Sequence, residues 1–135
     1  MWAQVIRAGV RFFILTAILL GFIGCSITVP INEVNGVYVA TYPFGTDTIS
    51  LKSDGTFSQR VAITHKEPLT VYGTWDFDAK ESRASFRGVL LVTDNFDHLR
   101  SDWQTVTSGI VSFDIERRYF RVLMNSSATY PYLKQ

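Results

Sequence analysis

The chain has 135 residues, with 13 basic and 12 acidic side chains and a single cysteine. That length holds one domain, and a net charge near zero supplies no general field for nucleic acid. A lone cysteine closes neither an internal disulfide nor a four-cysteine zinc site. Met1–Arg11 carries Arg7 and Arg11 and no acidic residue, and residues 12–24 form an uncharged apolar run. Crossing the hydrocarbon core takes roughly 20 apolar residues, so the run is short for a span. A basic stretch followed by about 7–15 apolar residues is the pattern of a secretory signal, helical in its apolar part. The alternative, an uncleaved anchor over residues 2–24, would draw both arginines into the span at about 3 kcal/mol each near its centre.

Phe22-Ile23-Gly24-Cys25 ends the run with a small residue directly before the sole cysteine. This segment resembles the lipobox of bacterial lipoproteins. The resemblance implies cleavage between Gly24 and Cys25, diacylation of Cys25 as the new N-terminus, and membrane attachment through those acyl chains. It covers the first 25 residues only, and Phe22 stands where the pattern has leucine. One acyl chain binds a bilayer marginally, at about 0.8 kcal/mol per buried methylene, whereas two or three anchor stably. Ser26, a non-acidic residue after the cysteine, implies sorting to the periplasmic face of the outer membrane in a Gram-negative cell. Residues 1–24 are thus read as the signal, 25–34 as a tether containing Pro30 and Asn32, and 35–135 as one domain. Extended, the tether reaches at most ~30 Å, which keeps the domain beside the bilayer.

From Asn35 onward the pattern is alternation with period two. Gly36–Tyr42 is rich in β-branched and aromatic residues and stops at Pro43. Thr48–Lys52 alternates, with Ile49 and Leu51 on one face, and Ser53-Asp54-Gly55 makes a turn. Asp hydrogen-bonds its own backbone there, and Gly accepts positive φ. Thr56–Thr64 continues with Phe57, Val61 and Ile63 on one face, interrupted by Gln59. Val71, Gly73, Trp75 and Phe77 share a face up to a polar turn at 78–82, and Ser85–Val92 is a further apolar run. Val111, Phe113 and Ile115 share one parity, while Phe120, Val122 and Met124 take the other, which predicts a turn or bulge at Glu116-Arg117-Arg118. Seven to eight short strands with no long amphipathic helix predict an all-β fold, a small antiparallel meander barrel or sandwich.

Gly36-Val37-Tyr38 and Gly73-Thr74-Trp75 begin two strands alike, and Gly beside a large aromatic suits a sharply bent strand whose ring caps a barrel. In this the domain resembles small lipocalin-like barrels, although their Gly-x-Trp lies on the first strand, where this chain has Tyr38. The resemblance implies a ligand site inside the barrel, for which Trp75, Phe77 and Tyr38 are the candidates. The opposing reading is that these aromatics are simply core.

Other chemistry is sparse. His65 lies beside Lys66-Glu67-Pro68 and reads as a solvated loop residue, whereas His98 is surrounded by Asp94, Asn95, Asp97 and Asp102. Oxygen-rich loops bind calcium and His with Asp binds zinc or manganese, yet the spacing matches no EF-hand and lacks a second zinc histidine nearby. The expectation is no metal, with Asp94, Asp97, His98 and Asp102 as the weak candidate set. Asp76 and Asp78 pair two carboxylates on an outward face, and no nucleophile elbow or phosphate-binding loop occurs. The expected protein is therefore non-catalytic and without a cofactor. It either binds a small apolar ligand in its barrel or, with a filled core, meets another envelope protein through an exposed patch such as Tyr38, Tyr42 and Tyr72. Arg117, Arg118 and Arg121 form a basic cluster suited to an anionic partner.

Overall fold

The computed structural model describes residues 29–125 and 127–135; the segment read as a signal, residues 1–24, and Cys25 lie outside them. Eight antiparallel strands close into one meander barrel in which each strand pairs with the next and the last returns to the first. The strands are β1 (Gly36–Tyr42), β2 (Gly45–Leu51), β3 (Thr56–Ile63), β4 (Leu69–Asp78), β5 (Arg83–Arg87), β6 (Ile110–Arg118), β7 (Arg121–Met124) and β8 (Tyr132–Lys134). A single helical turn, α1 (Ile31–Val34), precedes them. The choice between barrel and sandwich is thus settled in favour of the barrel.

Closure follows from the alternation. On β1, Tyr38, Ala40 and Tyr42 point inward; on β2, Asp47, Ile49 and Leu51; on β3, Phe57, Gln59, Val61 and Ile63. An eight-stranded barrel encloses a space just wide enough for such side chains. Tyr38, Phe57, Phe86, Ile49, Leu90, Met124 and Gln59 fill it and are wholly buried. The β2–β3 turn forms for the reasons the sequence supplies: Asp54 Oδ1 accepts the Thr56 N–H at 2.9 Å, and Gly55 sits at φ 81. Gly73 answers to packing instead. A Cβ there would lie 2.2 Å from the Arg87 carbonyl oxygen and 2.6 Å from the Phe57 ring, so only glycine lets β4 approach β5 and the core this closely.

Three sequence expectations change. Ser85–Val92 is not one strand: β5 ends at Arg87, and the 88–109 connection folds over one mouth of the barrel, burying Val89, Leu90, Val92 and Trp103. The turn expected at Glu116-Arg117-Arg118 lies farther on, because Arg118 pairs with Arg121 across Tyr119-Phe120. A two-residue turn also pairs odd with even positions, which accounts for the change of parity. Finally, the last residues of the expected tether belong to the domain. Val29 and Val34 are buried, and α1 covers the opposite mouth, where the Tyr38 hydroxyl donates to the Val34 carbonyl at 2.6 Å.

The two mouths therefore differ. At the α1 mouth lie the β2–β3, β4–β5 and β6–β7 turns and the C-terminus. At the other lie the β1–β2, β3–β4 and β7–β8 connections and the 88–109 plug.

Candidate functional site

Two polar features stand out, one sealed inside the plugged mouth and one exposed at the α1 mouth. The inner one begins with strand parity. Asp47 shares the inward face of β2 with Ile49 and Leu51, and Gln59 lies between Phe57 and Val61 on the inward face of β3. The Gln59 amide donates to Asp47 Oδ2 at 2.7 Å and to the Leu90 carbonyl at 3.1 Å, while its oxygen accepts the Leu90 N–H at 2.7 Å. Gln59 thus clamps both backbone groups of one plug residue, Leu90. From β8 the Tyr132 hydroxyl donates to the same Asp47 oxygen at 2.5 Å.

Asp47 Oδ1 has no hydrogen-bond partner among the described residues. Burial pushes the Asp47 carboxyl up to about 7, against the stabilising hydrogen bonds from Tyr132 and Gln59. Loss of water outweighs two donors because a buried carboxylate forfeits its whole hydration shell. Burial also raises the Tyr132 hydroxyl, reinforced by the charge on Asp47 and by Tyr42. Asp47 and Gln59 have no exposed surface, so this group acts on the fold: a carboxyl titrating near neutrality lies beneath the loop that closes the mouth.

The residues singled out from sequence fall elsewhere. Tyr38 is buried beneath α1, its hydroxyl bonded to the Val34 carbonyl. Trp75 donates its indole N–H to the Lys52 carbonyl at 2.9 Å. With Phe77 it lines a surface cleft of about 420 Å³ shared with Ile31, Asn32, Asn35 and the β2–β3 turn. Of the three tyrosines expected to form a patch, Tyr38 and Tyr42 are buried and Tyr72 alone is exposed.

The metal candidates serve the plug. Asp94 Oδ1 accepts the N–H groups of Phe96 at 2.8 Å and His98 at 2.9 Å, which hold its carboxyl below the usual range. Asp102 is engaged by Arg100 through two bonds of 2.8 Å, and Asp97 occupies the turn at φ 62. Among the described residues no group of three or more His, Cys, Asp or Glu side chains is arranged to hold a metal ion. Asp76 and Asp78 are exposed, and Asp78 caps the β4–β5 turn by accepting from Lys80 and Glu81 N–H groups.

The outer feature is the β6–β7 tip, where Tyr119 and Phe120 stand in solvent between Arg118 and Arg121. Arg118 pairs with Glu116 at 3.1 Å, and Arg117 forms an ion pair with Glu33 of α1. Sequence reasoning found the arginines but placed Phe120 in a strand; it missed Asp47 and the bond that Tyr132 makes to it. The available signal was parity, since Asp47 lies two residues before Ile49.

No family model matches the chain, and neither a curated protein nor a solved structure does. What defines its class is the fold: a closed eight-stranded antiparallel meander barrel, plugged at one mouth and capped by α1 at the other.

Proposed function

We propose that the protein is a lipid-anchored lipoprotein of the cell envelope whose β domain is non-catalytic and acts through its outer surface. The observation that carries this reading is the filled lumen. Tyr38, Ile49, Phe57, Gln59, Phe86, Leu90 and Met124 occupy the interior that a lipocalin-like ligand would need, and an eight-stranded barrel has room for side chains or for one small ligand. The anchor rests on the lipobox-like segment Phe22–Cys25, and Ser26 supports the periplasmic face of an outer membrane. A second reading, a small partly apolar ligand, moves from the lumen to the cleft beside Trp75 and Phe77.

Cys25→Ser tests the anchor. In cells fed labelled palmitate the wild-type chain should carry label and fractionate with membranes, and the variant should lose the label. A variant that stays acylated would overturn the assignment. The purified wild-type protein should leave the emission of an apolar solvatochromic probe unchanged; a saturable blue shift would return the ligand to the barrel.

A further inference from the structure

We propose that the tip of the β6–β7 hairpin is a membrane-docking element that inserts Tyr119 and Phe120 into the interface of an anionic bilayer and thereby sets the barrel's orientation. The inference rests on the anchored reading for the side of the molecule that faces lipid. Its own observations are independent of that reading.

Tyr119 is 94% and Phe120 102% exposed, and both lie in one two-residue turn. Adjacent large aromatics held fully in water mark an interaction surface. Tyr119 also sits at φ 56, a left-handed conformation that is costly for a bulky residue, and such strain persists where the surroundings impose it. A turn with glycine or asparagine there would relieve the strain and remove the ring.

Charge selects the partner. Glu116–Arg121 holds three arginines against one glutamate, and with Glu33 of α1, which pairs with Arg117, the tip keeps an excess of one positive charge. The neighbouring turns at this mouth are balanced: Lys52 faces Asp54, and Asp78 and Glu81 face Lys80 and Arg83. The positive excess therefore coincides with the exposed rings. Aromatic side chains favour the headgroup level, and neighbouring basic residues are drawn to anionic lipid.

Position agrees. The tip shares its mouth with α1, to which Arg117 ties it through Glu33, and Ile31 of α1 is exposed there as well. The described chain begins at Val29, four residues after Cys25, so an anchor at Cys25 lies within ~15 Å of this mouth. At the plugged mouth the exposed Phe96 is flanked by Asp94 and Asp97, and an anionic surface would repel it.

The test uses the full chain with a photoreactive benzoylphenylalanine at position 120, or at 96 as the comparison site. The protein is purified from membranes and reconstituted into phosphatidylcholine vesicles with or without phosphatidylglycerol. Lipid adducts at 120 should exceed those at 96 by about tenfold, grow with phosphatidylglycerol, and fall several-fold when Arg118→Gln and Arg121→Gln are combined or when salt is raised. Equal lipid adducts at the two sites would overturn the proposal. Protein adducts replacing lipid adducts at 120 in native membranes would overturn it too. The intact mass of each sample reports whether Cys25 is acylated. An unacylated chain refutes the anchor, while the comparison of 120 with 96 still decides the tip, because residues 1–24 then hold the same end of the protein at the membrane.

Discussion

Asp47 is pulled two ways: Tyr132 and Gln59 stabilise its charge, and burial opposes it. The folded carboxyl titrates near 7 and the unfolded one near 3.8, so between those values the folded state holds a proton that the unfolded state has released. A raised pKa of this kind contributes stability that is complete below the unfolded value and is lost as pH climbs through the folded one. The domain should accordingly gain stability as pH falls from 8 to 5, by an amount on the order of 2–3 kcal/mol across the window. Asp54, Asp94 and Asp102 are shifted the other way, and their opposing slope appears only in more acidic solution. Asp47→Asn keeps an acceptor for Tyr132 and Gln59 and removes the charge. Urea unfolding between pH 5 and 8 should show a sloping midpoint for the wild type and a nearly level one for the variant. A level wild-type profile would contradict the account.

Among the elements, the 88–109 plug is the one that alternation could not reveal. Val89, Leu90 and Val92 look like a continuing strand because they are apolar, yet their burial comes from covering a mouth of the barrel. The plug has two isolated bridges of its own, Leu90–Val106 and Thr93–Leu99. It also has internal bonds such as those from the Arg100 N–H to the Val92 carbonyl and from the Thr107 N–H to the Val89 carbonyl, both 3.0 Å, while Gln59 and buried side chains tie it to the barrel. By contrast, β1 was legible to the residue and β2–β3 nearly so, because Pro43 and the Asp54-Gly55 turn bound regular alternation. Asp47 escaped notice because a carboxylate at a strand start is ordinarily solvated and because the alternation read from Thr48 stops one residue short of it, whereas β2 begins at Gly45. The β6–β7 turn was misplaced because it lacks the glycine or asparagine that usually marks a two-residue hairpin. Leu90→Ala should cost about 2–5 kcal/mol, as a large-to-small change at a closed site does. Limited proteolysis of the folded variant should cut within 94–102 well before any strand. Cleavage spread evenly along the chain would mean that the plug and barrel unfold as one unit.

Across the whole molecule, stability depends on closing a ring whose last member is its smallest. β8 is three residues long and pairs Tyr38 and Val39 of β1 with Lys134 and Leu133, and Leu123 and Met124 of β7 with Leu133 and Tyr132. So short a ladder relies on what its side chains reach: Tyr132 bonds Asp47 inside, and Lys134 donates to the Glu33 carbonyl of α1 outside. The Gln135 N–H adds a bond of 2.9 Å to the Val37 carbonyl. The closing strand thereby joins the buried carboxyl at one mouth to the helical cap at the other. Removing residues 132–135 would open the β1 and β7 edges, and unpaired edges recruit other chains. It would also leave Asp47 with one donor fewer in the same apolar surroundings, a loss of about 1–3 kcal/mol from that bond alone. The shortened chain should elute as oligomers or aggregates at pH 7.5, where the intact domain keeps a closed ring with no free edge. Because protonation relieves the buried charge, the shortened chain should recover monomer more readily near pH 5 than near pH 8, provided Asp47 is present. Combining the deletion with Asp47→Asn should abolish that difference while leaving the edges open, which separates the contribution of the carboxyl from that of ring closure.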